Sequence, residues 1–161
     1  MGAVLYIGLK RIIRRPPDDV WAFMTDVMSL PSLVSGLVEA RLCGETQSGT
    51  GVLVDIVIDA NGKRHLASSE VTRWQQPSLL TIETRARGVL VLDRVALVQI
   101  REGTELAVNA ELKLGPRLVE RFVTARRLGV AEADAAIEQA YERSLDALVK
   151  RVEMVDSIPY R

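Results

Sequence analysis

Apolar and polar positions divide the chain into three stretches with different periods. Residues 4–13 (VLYIGLKRII) are a β-branched and aliphatic run and read as a strand. Pro16 and Pro17 end it, because neither can donate to a sheet ladder. Proline suits a first helical turn, and Asp18 and Asp19 suit that turn's positive end. Val20, Phe23, Met24 and Val27 then recur at i, i+3, i+4 and i+7, which predicts a short amphipathic helix. Pro31 is expected to break it, with one more short helical turn over 29–34.

From residue 38 the period is two. Val38 to Cys43 predicts a strand and Glu45 to Thr50 a turn. Over 51–60, Val52, Val54, Ile56 and Ile58 share one face, with Asp55 and Asp59 on the other. Asn61-Gly62 fits a type I′ hairpin, and Lys63 to Trp74 returns. After a turn at Gln76-Pro77-Ser78, Leu80, Ile82, Thr84 and Ala86 alternate with Thr81, Glu83, Arg85 and Arg87. Val89 to Ile100 and Thr104 to Leu114 are two further strands around Glu102-Gly103. In the last, Leu106, Val108, Ala110 and Leu112 oppose Glu105, Asn109, Glu111 and Lys113.

Beyond Gly115-Pro116 the period becomes helical. Leu118, Phe122 and Ala125 share a face up to Gly129, and a stripe of Ile137, Tyr141, Leu145, Leu148, Val152 and Val155 follows. One helix over 116–155 would run ~60 Å, longer than any sheet this chain builds, so a break is expected near Gly129. Strands in a meander bracketed by helices predict an α+β fold with an antiparallel sheet. A single domain over 1–161 is expected.

Composition narrows the chemistry. One Cys (Cys43) excludes an internal disulfide and a multi-Cys zinc site, and one His (His65) excludes a His-rich cage. No metal and no cofactor are expected. Twenty-one basic and 21 acidic residues cancel, which argues against bulk binding to nucleic acid. No apolar run reaches the ~18 residues of a membrane span, so no integral membrane segment is expected. The N-terminal apolar patch has no basic residues before it, unlike a signal peptide. A cytoplasmic protein with one free thiol is the expectation.

Several residues carry a functional reading beside a structural one. Gly49-Thr50-Gly51 is a lone GxG and reads as a turn, and Asp55 with Asp59 as a solvated face. Counting back from Gly103-Thr104 puts Val91, Asp93, Val95 and Leu97 on one face of their strand. The opposite face is also largely apolar, so Asp93 is either an exposed structural carboxylate or a polar group in a pocket, with Arg73 a conceivable partner. His65 stands near a turn and reads as exposed or at a rim, with a general base as the alternative. A Cys43/His65 nucleophilic pair competes with a buried, inert Cys43. Tyr141 either packs in the core or turns its hydroxyl into a pocket, and Trp21 and Trp74 read as core. Arg11/Arg14/Arg15 and Arg117/Arg121/Arg126/Arg127 are solvated faces or a docking surface.

The string IRRPPDDVWAFMTD, followed by Pro31, resembles the START-like or SRPBCC (Bet v 1-like) superfamily. Its bacterial members include polyketide cyclase/dehydrase-like proteins and a family named for a carbon-monoxide-dehydrogenase component. Pro17, Val20, Trp21, Asp26, Pro31 and Gly36 carry the likeness, with Glu70-Val71-Thr72 before Pro77 and Gly103-Thr104-x-Leu106. It spans roughly residues 5–155. It implies a helix-grip fold, with a curved antiparallel sheet of about seven strands around a long C-terminal helix, two short helices after the first strand, and an apolar cavity between sheet and helix.

On that fold the alternation puts Val54, Ile56, Ser69, Val71, Ile82 and Thr84 on the cavity face, and also Val91, Asp93, Val95 and Leu97. Leu106, Val108, Ala110 and Leu112 come from the last strand, and Phe122, Ile137, Tyr141, Leu145 and Leu148 from the helices. The expected partner is an apolar small molecule (lipid, isoprenoid or polyketide-like), held by a monomer or homodimer. Two alternatives stand beside simple binding. One is a cyclase or dehydratase using Asp93, Tyr141 and His65. The other is an accessory role acting through the basic helix surface.

Overall fold

The alternating stretches form a curved, seven-stranded antiparallel sheet. Its strands are β1 (Ala3–Ile13), β2 (Leu37–Cys43), β3 (Leu53–Ala60), β4 (Lys63–Gln75), β5 (Leu79–Ala86), β6 (Val89–Ile100) and β7 (Gly103–Leu114), in the order β1-β7-β6-β5-β4-β3-β2. Strands β2 to β7 are a meander. β1 closes the other side by pairing with β7, from Ala3 opposite Leu114 to Ile13 opposite Thr104. The computed structural model describes residues 3–60, 62–117 and 130–154. Asn61, Val155 and the stretch 118–129, with Leu118, Phe122 and Ala125, lie outside the described residues.

Helix α1 (Pro17–Met24) starts on the paired prolines, with Asp18 and Asp19 in its first turn. A 3-10 turn (Val27–Ser29) follows, capped by Asp26, whose carboxylate accepts from Met28 N at 3.1 Å and from Ser29 Oγ at 2.7 Å. Pro31 does not break a helix. It sits in the first turn of helix α2 (Leu30–Leu33), where its missing N–H costs no bond. The long helix α3 spans Val130–Met154 and packs against β1, α1 and α2.

Two bulges bend the sheet, one between Leu37 and Glu39 and one between Val71 and Arg73. The second shifts the alternation, so both Thr72 and Arg73 are exposed. The expected approach of Arg73 to Asp93 is therefore corrected. Core packing is concentrated at one end, where Ile13, Val20, Trp21, Leu106 and Val152 are essentially inaccessible. Trp21 meets Trp74 edge to face, with ring centroids 5.2 Å apart.

The chain leaving β1 is fixed at this end. Thr104, fully buried, donates from Oγ1 to Arg15 O at 2.7 Å. Gly103 has φ 141, and a Cβ there would stand 2.7 Å from Arg15 N and run into Ile13 O. Both neighbours are backbone and cannot swing aside. Arg11 Nε donates to Asp146 at 2.9 Å and Arg14 N to Glu153 at 3.0 Å, which ties the same segment to α3. Gly103→Ala is expected to lower unfolding stability by about 2–4 kcal/mol in urea titrations. A loss below about 0.5 kcal/mol would show that this approach is not tight.

Candidate functional site

Pairing register carries side chains across the sheet in rows on its concave face. Val54, Ser69, Thr84, Val91 and Leu112 form one row. Val71, Ile82, Asp93 and Ala110 form the next, and Leu80, Val95 and Val108 a third. Across from them α3 presents Ala140, Tyr141, Ser144, Leu145 and Leu148. Between the layers lies a cavity of about 420 Å³, within the usual size of small-molecule sites.

The structure brings most of the expected residues to this cavity. Val54, Ile56, Ser69, Val71, Ile82, Thr84, Val91, Asp93 and Val95 line it from β3 to β6, Leu106, Val108 and Leu112 from β7, and Tyr141, Leu145 and Leu148 from α3. Three others are corrected. Leu97 lies in the core cluster at the packed end. Ala110 is buried with Ile7 and Leu112, and Ile137 packs against that cluster, so neither Ala110 nor Ile137 lines the cavity. Phe122 lies outside the described residues.

His65 is exposed on β4, opposite Ile58, and is absent from the cavity lining. The Cys43/His65 pair is also corrected. Cys43 faces Leu53 and His65 faces Ile58, five residues further along β3 or about 17 Å. Cys43 is only partly buried. Its Sγ donates to Asp55 Oδ2 at 2.9 Å. Donation from Cys43 and from Ser68 holds the exposed Asp55 carboxyl below its ordinary value. Of the second basic cluster only Arg117 lies among the described residues.

Alternation did not reveal the residues that close the cavity. Met24, Leu30, Leu33, Val34, Ser35 and Leu37 come from the α1–β2 connection. The available signal was the apolar density of Leu30, Leu33 and Val34 in a stretch too short to have a core of its own. Ala140 and Ser144 flank Tyr141 at helical spacing and were equally findable.

Polar groups in the cavity are few and mostly paired. Ser69 and Thr84 hydroxyls bond to each other at 2.7 Å on the sheet floor. At the rim Ser144 Oγ accepts from Ser35 N at 2.9 Å, which joins α3 to the α2–β2 connection. Between these, Tyr141 donates its phenol to Asp93 Oδ1 at 2.8 Å, spanning from helix to sheet. Burial pushes the Asp93 carboxyl up to about 6, against the opposing pull of the Tyr141 bond. Burial, and then the Asp93 charge, push the Tyr141 phenol above its ordinary range. Near neutral pH the pair is a neutral donor on a mostly ionised carboxylate, able to accept a proton or a hydrogen bond.

Unfolded, Asp93 ionises near 3.8; folded, near 6. Between those values the folded state holds more protons, so this group lowers stability as pH rises through the window. Asp93→Asn is expected to gain about 2 kcal/mol on the wild type between about pH 4.5 and 7.5 in urea midpoints. A variant that runs parallel to the wild type across that range would remove the buried-carboxylate assignment.

Comparison with known proteins agrees with this architecture. A sequence profile for polyketide cyclase / dehydrase and lipid transport proteins matches residues 8–153, and the chain belongs to that family. No curated protein matches. The fold is shared with the Zhui aromatase/cyclase from Streptomyces sp. R1128, at 15% identity and TM-score 0.72, covering 95% of this chain and 94% of that one. Ara h 8.0201 aligns at 12% identity and TM-score 0.68, over 93% of this chain and 98% of that one. The di-domain aromatase/cyclase StfQ of the steffimycin biosynthetic pathway aligns at 11% identity and TM-score 0.77. That match covers 96% of this chain and 52% of StfQ.

Proposed function

We propose that this member of the polyketide cyclase / dehydrase and lipid transport family binds an apolar small molecule in the cavity between sheet and α3. The observation that carries the reading is the lining. It is aliphatic on the sheet and helix faces, with one helix-to-sheet polar pair, Asp93–Tyr141, at its middle. Removing an apolar ligand from water is favoured at roughly 25 cal/mol per Å² of buried surface. The hydroxyls of Ser69 and Thr84 share one hydrogen bond, which leaves the floor a single neutral O–H beside aliphatic side chains.

Nile red, an uncharged dye, is expected to bind with a blue-shifted emission, and native mass spectrometry is expected to show a co-purifying small molecule. Val91→Trp puts an indole on the cavity lining, one row from Asp93. It should weaken Nile red at least tenfold while urea unfolding stays cooperative. Unchanged affinity in the folded variant counts against the cavity as the site.

A second reading, cyclase or dehydratase chemistry, is favoured by the same Asp93–Tyr141 pair. A carboxylate with a pKa of about 6 suits proton abstraction near neutral pH; once Asp93 has taken that proton it no longer needs the Tyr141 bond, and the neutral phenol is released to donate to the developing enolate oxygen. On a linear poly-β-keto thioester, Tyr141→Phe is then expected to lower kcat at least a hundredfold, with Nile red affinity changed less than threefold. Equal turnover in the two proteins, or no turnover by the wild type, leaves binding alone.

A further inference from the structure

We infer that the cavity selects apolar ligands that present a hydrogen-bond donor, a hydroxyl or an ammonium, to Asp93, and turns away those ending in an anion. This deepens the binding reading above and rests on it. Of the two Asp93 carboxylate oxygens, Oδ1 is taken by Tyr141. Oδ2 has no partner among the described residues, and Asp93 lines the cavity. A carboxylate oxygen only accepts while ionised, so what fits beside it is a donor. Tyr141 spends its one proton on Asp93 and can offer a ligand only its lone pairs, a second acceptor.

The surroundings set the charge preference. Among the described residues the cavity lining contains no Lys, Arg or His, and Asp93 is its one carboxylic acid. A ligand carboxylate or phosphate would enter a low-dielectric space beside an uncompensated like charge, which is strongly unfavourable. A hydroxyl completes the hydrogen bonding of Oδ2, and an ammonium also supplies the missing counter-charge. The Ser69–Thr84 bond uses one of the two hydroxyl protons, and the other belongs to a neutral group that leaves the like-charge cost of an anion in place. At the rim Arg143 Nε donates to Ser35 Oγ at 3.4 Å, and its side chain is exposed.

Decan-1-ol, decylamine and decanoate share one chain length and differ at the head. Displacement of Nile red at about pH 7.5 is expected to show the alcohol and the ammonium binding at least tenfold more tightly than decanoate. Asp93→Asn, near-isosteric and still able to accept from Tyr141, should narrow the alcohol-to-acid ratio below threefold. Asp93→Leu should level it in the same way if the Asn variant does not fold. Decanoate equal to or tighter than decanol overturns the inference. So does a decanoate affinity that collapses in Arg143→Gln, which would place the anion at the rim. If Nile red binds and neither alcohol nor amine displaces it, this inference fails alone. If Nile red does not bind the wild type, the binding reading fails with it.

Discussion

A mismatch of widths governs this molecule. Seven strands spaced by about 4.8 Å make a sheet roughly 29 Å across, and a helix with its side chains is only about 10–12 Å thick. One helix of 25 residues cannot cover the concave face of such a sheet. Bending at the two bulges brings the sheet partly around it, and α1 and α2 close part of the far side. Close packing is reached at the Trp21 end and along β1 and β7 under Ile137. Over β3 to β6, and beside Leu106, Val108 and Leu112 of β7, the layers stay apart, and that unfilled volume is the cavity.

The polar groups follow from the same geometry. Where the layers touch, apolar packing is enough, and Ile7, Ala110 and Ile137 supply it. Where they stand apart, a side chain must reach across. Tyr141 is long enough to do so, and its hydroxyl needs an acceptor once out of bulk water. Asp93 is that acceptor, and the bond links helix to sheet across the open space. The arrangement is energetically asymmetric: the phenol is satisfied, whereas the carboxylate bears the larger desolvation cost and keeps one oxygen for something else.

Sequence made the strands and their faces legible wherever charge marks one side. Asp55 and Asp59 identify the outer face of β3, Glu83 and Arg85 that of β5, and Glu105 and Glu111 that of β7. β6 lacks that contrast, because its outward Leu90, Leu92 and Ala96 are themselves half-buried, so Asp93 could be placed only through register with β5 and β7. Alternation yields a face and not a depth. Leu97 and Ala110 point inward as expected, but whether an inward residue meets a ligand or the helix depends on where the curved sheet approaches α3. The bulge at Val71 and Arg73 is an extra residue with no glycine or proline to announce it, and it moved Arg73 to the outside. The family likeness rested on residues with structural duties: Pro17 and Trp21 at the first helix, and Gly103 where backbone crosses backbone.

The pairing of β1 with β7 also has a consequence in time. Every ladder bond of the first strand is made with the last, about a hundred residues downstream. As the chain is synthesised, β1 has no native partner in the sheet until β7 has left the ribosome. Bringing ends that far apart together costs roughly 4 kcal/mol of loop-closure entropy, and such non-local contacts slow folding. The meander from β2 to β6 can form hairpin by hairpin as it emerges, while the apolar segment Val4–Ile13 waits. Commitment to the native state therefore comes late, when the two ends of the sheet sequence meet.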